Sequence, residues 1–241
     1  MPKGRLIVIC TGWQCEEYKD RCLESIFDQG KDLDKGSIMM INYCVDGNEK
    51  SDESSLIDMS IGGERIGKLA NFIKMINNIH PDLEDIICDV DLDDYLLPGA
   101  LKTVLGTYEQ NPGTLLTYGS YCMESGKHAR YNGEYKNNNF RGSKWLASHL
   151  KTFKYKLYRE IKVRDINGHD GKPFMSAGDV ALMMPMLEMA GLDRIKHIKK
   201  CLYCYNDLNP LNDHKVHSDE QKRNERYIRK VLPQRPRMNE L

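Results

Sequence analysis

Asp89-Val90-Asp91-Leu92-Asp93-Asp94 carries four carboxylates directly after the apolar run Ile86-Ile87-Cys88. Acids this close repel one another unless a cation joins them, and hard carboxylate oxygens suit magnesium or manganese. A metal held there would bridge a diphosphate and offset charge on a leaving group. An EF-hand calcium loop starting at Asp89 would need Gly at its sixth position and Glu at its twelfth, where the chain has Asp94 and Ala100. Anions also favour a helix N-terminus, so one or two of the acids could cap the helix that begins near Pro98, but four are present.

Acids used in this way need a strand end to aim them. Leu6 to Cys10 predicts a first strand, and Glu16 to Phe27 a helix with Tyr18, Cys22, Leu23 and Ile26 on one face. Ser37 to Val45 reads as a second strand, closed by the turn Asp46-Gly47-Asn48. Ile66, Leu69, Ala70, Ile73 and Ile76 form a helical stripe. Ile86 to Val90 is a third strand, Pro98 starts a helix over Ala100 to Tyr108, and Leu115 to Tyr118 is a further strand. Such alternation predicts an α/β fold with a mostly parallel central sheet flanked by helices. Ligands of these sheets bind beyond the carboxyl ends of the strands, where the acids fall. Glu124 to Arg141 is polar and turn-rich around Asn137-Asn138-Asn139, which suits a cover over a site as well as a plain surface loop. A helix from Leu182 to Ala190 should kink at Pro185.

With 241 residues the chain can bury a core without disulfides or a structural metal. Its 40% hydrophobic and 29% charged residues exclude a mostly disordered protein, and a net charge of zero supplies no global field for nucleic acid or anionic membrane. Lys215 to Arg237 is rich in Lys and Arg, which reads as a solvated basic helix ahead of a contact for a polyanionic partner. Met1 to Gly4 leads into no long apolar run and no stretch approaches transmembrane length, so the expectation is no membrane span and a cytoplasmic location. Cys10, Cys44 and Cys88 lie in strand-like runs, and the eight cysteines read as reduced thiols. Cys201 and Cys204 have Cys-x-x-Cys spacing, but in a predicted strand that places them on opposite faces, against a zinc site.

On these residues the sequence resembles the nucleotide-sugar glycosyltransferases of the GT-A fold and is similar in particular to glycosyltransferase family 2. Leu6 to Gly12 and the helix with Arg21-Cys22-Leu23-Glu24-Ser25-Ile26 look like the family's opening strand and helix, which implies a nucleotide-sugar contact by Thr11. Val45-Asp46-Gly47-Asn48 resembles its acidic turn and implies a base contact by Asp46, although one Asp stands where the family often has two. Asp91-Leu92-Asp93-Asp94 followed by Pro98 matches its Asp-x-Asp motif. That match implies that Asp91 and Leu92 face the ribose or diphosphate and that Asp93, with Asp91, holds Mn2+ or Mg2+. Lys68 stands where the family often has a basic residue near the donor, and reads equally as the polar face of its helix. Gly178-Asp179-Val180-Ala181 resembles the site of the general base, which implies that Asp179 accepts the acceptor's proton; an N-cap is the competing use. Ser148 to Lys154 and Tyr203 to Lys215 look like segments of a subgroup of these enzymes. By that likeness His149 and Lys151 contact donor diphosphate or acceptor, and either His214 is a further metal ligand or Lys215 a diphosphate contact, each against the plainer reading as a surface residue.

The resemblance therefore implies transfer of a hexose or pentose from a nucleotide-diphosphate sugar, of UDP type, to an acceptor hydroxyl with inversion. The expected layout is one domain over 1–241, with 1–120 binding nucleotide sugar and metal, 121–214 facing the acceptor and 215–241 a basic tail. A glycan, lipid-linked saccharide or glycoprotein acceptor ranks ahead of a nucleic acid, for which no DNA-reading motif is present. Two rivals remain. A sugar-nucleotide pyrophosphorylase would need a Gly-rich basic loop where the chain has Thr11-Gly12-Trp13-Gln14-Cys15. A non-catalytic carbohydrate- or nucleotide-binding module would have no use for Asp91, Asp93 and Asp179 together.

Overall fold

Strand β1 (Leu6–Trp13) is buried on both faces: Ile7 and Ile9 enter one apolar core, while Leu6, Val8 and Cys10 enter another. A strand of that kind needs helices on either side of its sheet. The computed structural model describes residues 4–33, 39–46, 57–62, 65–127 and 133–239, and the side chains of 39–46 and 57–62 lie outside the described set. Helices α1 (Glu16–Gly30) and α3 (Ala100–Gln110) cover the face of Leu6, Val8 and Cys10 through Cys22, Leu23, Ile26, Leu101 and Val104. Helices α2 (Lys68–Ile79), α4 (Tyr155–Tyr158), α5 (Val163–Ile166) and α6 (Gly178–Ala190) contribute Leu69, Phe72, Leu157, Ile166 and Met183 to the opposite core.

The remaining strands are β2 (Met39–Asp46), β3 (Ile57–Gly62), β4 (Ile86–Asp91), β5 (Tyr95–Leu96), β6 (Leu116–Met123), β7 (Lys151–Lys154) and β8 (Ile195–Tyr205). They join β1 in an eight-stranded sheet of order β3-β2-β1-β4-β7-β6-β8-β5. The expected parallel sheet is found from β3 to β4 and between β6 and β8. The whole is mixed, because β7 pairs antiparallel with both β4 and β6, and β5 antiparallel with β8. The chain enters β7 opposite Asp89 and leaves it opposite Ile86, running back along β4 from its carboxyl end. Strands β5 and β7 are too short to produce a period-2 signal in sequence.

Helix α6 continues through Pro185, and every residue from Val180 to Ala190 is buried. Packing on all sides holds the turn whose hydrogen bond proline removes. The basic tail forms α7 (Asp213–Val216) and α8 (Ser218–Lys230). It is fastened as well as solvated: Ile228 is buried, Arg229 donates to the carbonyls of Arg141 and Ser143 at 2.8 and 3.1 Å, and Arg235 pairs with Asp165. Lys222, Arg223, Arg226 and Lys230 face solvent. Cys10, Cys15, Cys22, Cys88, Cys122, Cys201 and Cys204 are free thiols, and no described helix is long and apolar enough to cross a membrane.

Gly67 opens α2 with φ 88° and ψ 158°, a region that side chains rarely tolerate, and a Cβ there would sit 2.9 Å from Met175 Sδ. Gly67→Ala is expected to cost about 1–3 kcal/mol in urea unfolding. A loss below about 0.5 kcal/mol, the range of an ordinary surface change, would mean that this backbone relaxes freely.

Candidate active site

Parallel pairing of β1 with β4 sets Thr11 beside Asp91, so both strands end at one edge of the sheet. A cleft of about 230 Å³ opens there. Thr11 and Asp91 from the strand ends, Lys68 from the first turn of α2, Asp179 from the first turn of α6, and His149 with Lys151 at the start of β7 all line it. Asp93, Asn209 and His214 complete that wall. Strand alternation explains the floor: Asp89 and Asp91 are two residues apart and share a face.

Charge balance in the floor is specific. Asp89 is buried between Lys68 Nζ at 3.3 Å and Lys151 Nζ at 3.2 Å, and Lys68 also pairs with Asp91. Burial works against a charged Lys68, but Asp89 and Asp91 outweigh it and raise its pKa. Burial likewise opposes a charged Asp91, yet Lys68 and Lys151 hold its carboxyl below the usual range, so it is ionised. Burial and the Asp91 charge push Asp93 the other way, up to about 6. Burial, with Lys151 and Lys68 nearby, pushes His149 well below the ordinary histidine value, and its imidazole is neutral at pH 7. That ring stacks on Tyr203 at 4.5 Å. Lys151→Met leaves Asp89 with Lys68 alone, and is expected to cost about 3 kcal/mol in urea unfolding, the low end for breaking a buried pair. An unchanged midpoint would show that Lys68 suffices.

The site fits a hard divalent cation. Asp91 is ionised, Asp93 carries a charge that its surroundings oppose, and His149 Nδ1 and Thr11 Oγ1 are buried without a hydrogen-bond partner. Ligand atoms of Asp91, Asp94 and His149 lie within 4.8 Å of one another. Asp94 is the weak member of that group. Tyr203 Oη donates to its Oδ2 at 2.6 Å and Asn206 N to its Oδ1 at 2.7 Å, while burial and the charges of Asp93 and Asp91 push its carboxyl well up. Asp94 therefore anchors the segment after β8, which leaves Asp91 and the neutral His149 as the free members of that group, with Asp93 lining the same cleft outside it.

Two expectations differ from what is found, and a third falls outside the described residues. Leu92 faces the core with α1 and α3, not the cleft, because it alternates with Asp91; only its backbone N–H serves the site edge, donating to Thr11 O at 3.0 Å. Lys215 Nζ donates to the carbonyls of Asp207 and Asn209 at 2.6 and 2.8 Å, which holds the loop, and Lys215 is not among the residues that line the cleft. The side chain of Asp46 and the residues Gly47 and Asn48 lie outside the described set; the Asp46 backbone ends β2 beside Trp13. His214 lines the cleft with its Nδ1 3.1 Å from Tyr205 Oη.

Other cleft residues escaped the sequence reading. Arg65 stacks over Trp13 at 3.7 Å and pairs with Asp213 at 3.8 Å, and Gln221 reaches in from α8. None has a local signal, since each depends on segments far apart in the chain. Asn206, Asn209 and Asn212, spaced by three, were a visible pattern.

No protein-family model matches the sequence, and no curated protein matches it. Solved structures do match. Glucosyl-3-phosphoglycerate synthase from M. tuberculosis, in complex with Mn2+, UDP and glucosyl-3-phosphoglycerate, aligns with a TM-score of 0.60 at 15% identity over 95% of this chain and 81% of that one. S. aureus TarS 1–349 in complex with UDP-GlcNAc aligns with a TM-score of 0.62 at 16% identity over 84% of this chain and 58% of that one. A further S. aureus TarS structure gives 0.59 at 15% identity, and there this chain spans 38% of the other's length. The fold is GT-A, the architecture that the sequence resembles.

Proposed function

We propose that this chain is a glycosyltransferase that moves a sugar from a nucleotide-diphosphate donor, of UDP type, to an acceptor hydroxyl with inversion. The single observation that carries the reading is the meeting of Asp91 and Asp93, Lys68 and Lys151, and Asp179 in one cleft of a GT-A fold. UDP and Mn2+ in the M. tuberculosis neighbour, and UDP-GlcNAc in TarS, support the donor class and a divalent cation. Residues 1–120 then serve the donor, and 121–214 carry the acceptor side.

Asp91 and Asp93 would hold the cation, with His149 or His214 as a further ligand. When bound, it supplies positive charge that offsets the leaving diphosphate. Lys68 and Lys151 add fixed charge at the same place, and the buried floor makes each more effective than in water. Thr11 Oγ1, buried without a partner, is available to the nucleotide. Asp179 is oriented by the Val180 N–H, which donates to its Oδ1 at 2.8 Å. The acceptor oxygen attacks the anomeric carbon as the bond to the diphosphate oxygen breaks, and its proton passes to the Asp179 carboxylate. The nucleoside diphosphate leaves, and the anomeric configuration is inverted.

A panel of nucleotide sugars scored by thermal shift with and without Mn2+ tests the donor class, because a ligand of the native state raises its stability by mass action. One nucleotide family should stand out, and only with the cation. No shift with any nucleotide sugar would end this reading. The anomeric configuration of the product by NMR tests the mechanism, and retention would remove Asp179 as base.

A further inference from the structure

A carboxylate that holds a cation must itself be held, and one segment of the chain is built around Asp93 in that way. Asn209 Nδ2 donates to Asp93 Oδ2 at 2.8 Å. The amide has no freedom to turn: Asn209 Oδ1 accepts from the Leu211 N–H at 2.9 Å, and a backbone N–H can only donate, so the nitrogen must face Asp93. Its backbone N–H donates to Asn206 Oδ1 at 3.1 Å, and its carbonyl receives Lys215 Nζ at 2.8 Å. Asn206 is tied in turn, by its N–H to Asp94 Oδ1 at 2.7 Å and by its carbonyl to Asn212 Nδ2 at 2.8 Å. All three asparagines are buried, against their usual exposure. A turn needs one such side chain. Three, fixed against one another and against the acid run, form a frame whose contact with the cleft carboxylates is Asn209 on Asp93.

We propose that Asn209 is the positioning residue of Asp93: its amide fixes one carboxylate oxygen, leaves the other to a divalent cation, and makes the 206–215 wall of the cleft one unit with the cation ligand. The inference rests on the cation role given to Asp93 above. Outer partners of metal ligands change affinity by about 10–100-fold when removed. Asn209→Ala is therefore expected to weaken binding of Mn2+ alone, read by electron paramagnetic resonance of the free ion, by about that factor. Asn212→Ala removes a bond of the same frame without touching Asp93, and is expected to stay within about 3-fold, inside the twofold-to-threefold context scatter of single interactions. Should the alanine variant lose its fold, Asn209→Ser carries the same expectation, since its hydroxyl can still accept from Leu211 but is too short to reach Asp93. Wild-type affinity in the Asn209 variant, or equal weakening in both variants, overturns the positioning role and leaves the cation reading intact. A wild-type protein that binds no Mn2+ removes the cation reading and the Asn209 role with it.

Discussion

Asp179→Asn is expected to lower turnover by about 10²–10⁴-fold, the usual contribution of a positioned general base, while the donor still raises thermal stability as in the wild type. The variant separates chemistry from architecture. The Val180 N–H donates to Asp179 Oδ1 at 2.8 Å, and an asparagine oxygen can accept the same bond. Asp179 lies in the first turn of α6, two residues past the N-cap Ala177, so loss of its negative charge there should cost only about 0.3–1 kcal/mol. The N-cap use of Asp179 is not what the structure shows, and an Asp179 that served only the helix dipole would give that small loss of stability with near-normal turnover. Turnover within a few-fold of the wild type would thus remove the base role.

Asp93→Asn should have the second large effect, in opposite directions on stability and activity. The Asp93 carboxyl is raised to about 6 by burial and by Asp91, from an ordinary 3.8. Its folded pKa lies above the unfolded one, so the ionised form is penalised in the fold: the penalty is absent below about pH 4, grows between 4 and 6, and is full above 6. Without metal, Asp93→Asn should then be the more stable protein at pH 8, by on the order of 3 kcal/mol, and match the wild type at pH 3.5. Added Mn2+ should stabilise the wild type and not the variant, and turnover should fall by about 10²-fold or more. Urea unfolding in chelator at both pH values reads the first part. A variant less stable than the wild type at pH 8 would show that Asp93 is held by favourable contacts and not kept charged against its surroundings for a cation.

Much of this arrangement was legible along the chain. The unbroken apolar run Leu6 to Cys10, the stripe through Leu69 and Ile76, and the acids at the end of Ile86 to Val90 give the α/β order and point Asp91 to a strand's carboxyl end. Leu92 shows where a motif read as a block goes astray: the period of 2 that aims Asp91 at the cleft turns its neighbour into the core. The pairing of Asp89 with Lys151 could not be read at all, because it depends on the antiparallel register of a four-residue strand. Lys215 read along the chain as a surface residue or a diphosphate contact, and its use in holding loop carbonyls showed only once the fold was in place.

What the sequence determined by itself is local: which runs become strands and helices, and which carboxylates, lysines and histidines fall at their ends. Backbone geometry repeats every two or 3.6 residues, and that is readable without distant neighbours. Only the tertiary structure decided the use of each group: Asp89 as counter-ion, Asp91 ionised, Asp93 destabilised, Asp94 an anchor, His149 neutral. Desolvation and charge–charge energy depend on distances through space, and segments as far apart as β4, β7 and the turn after β8 supply those distances here.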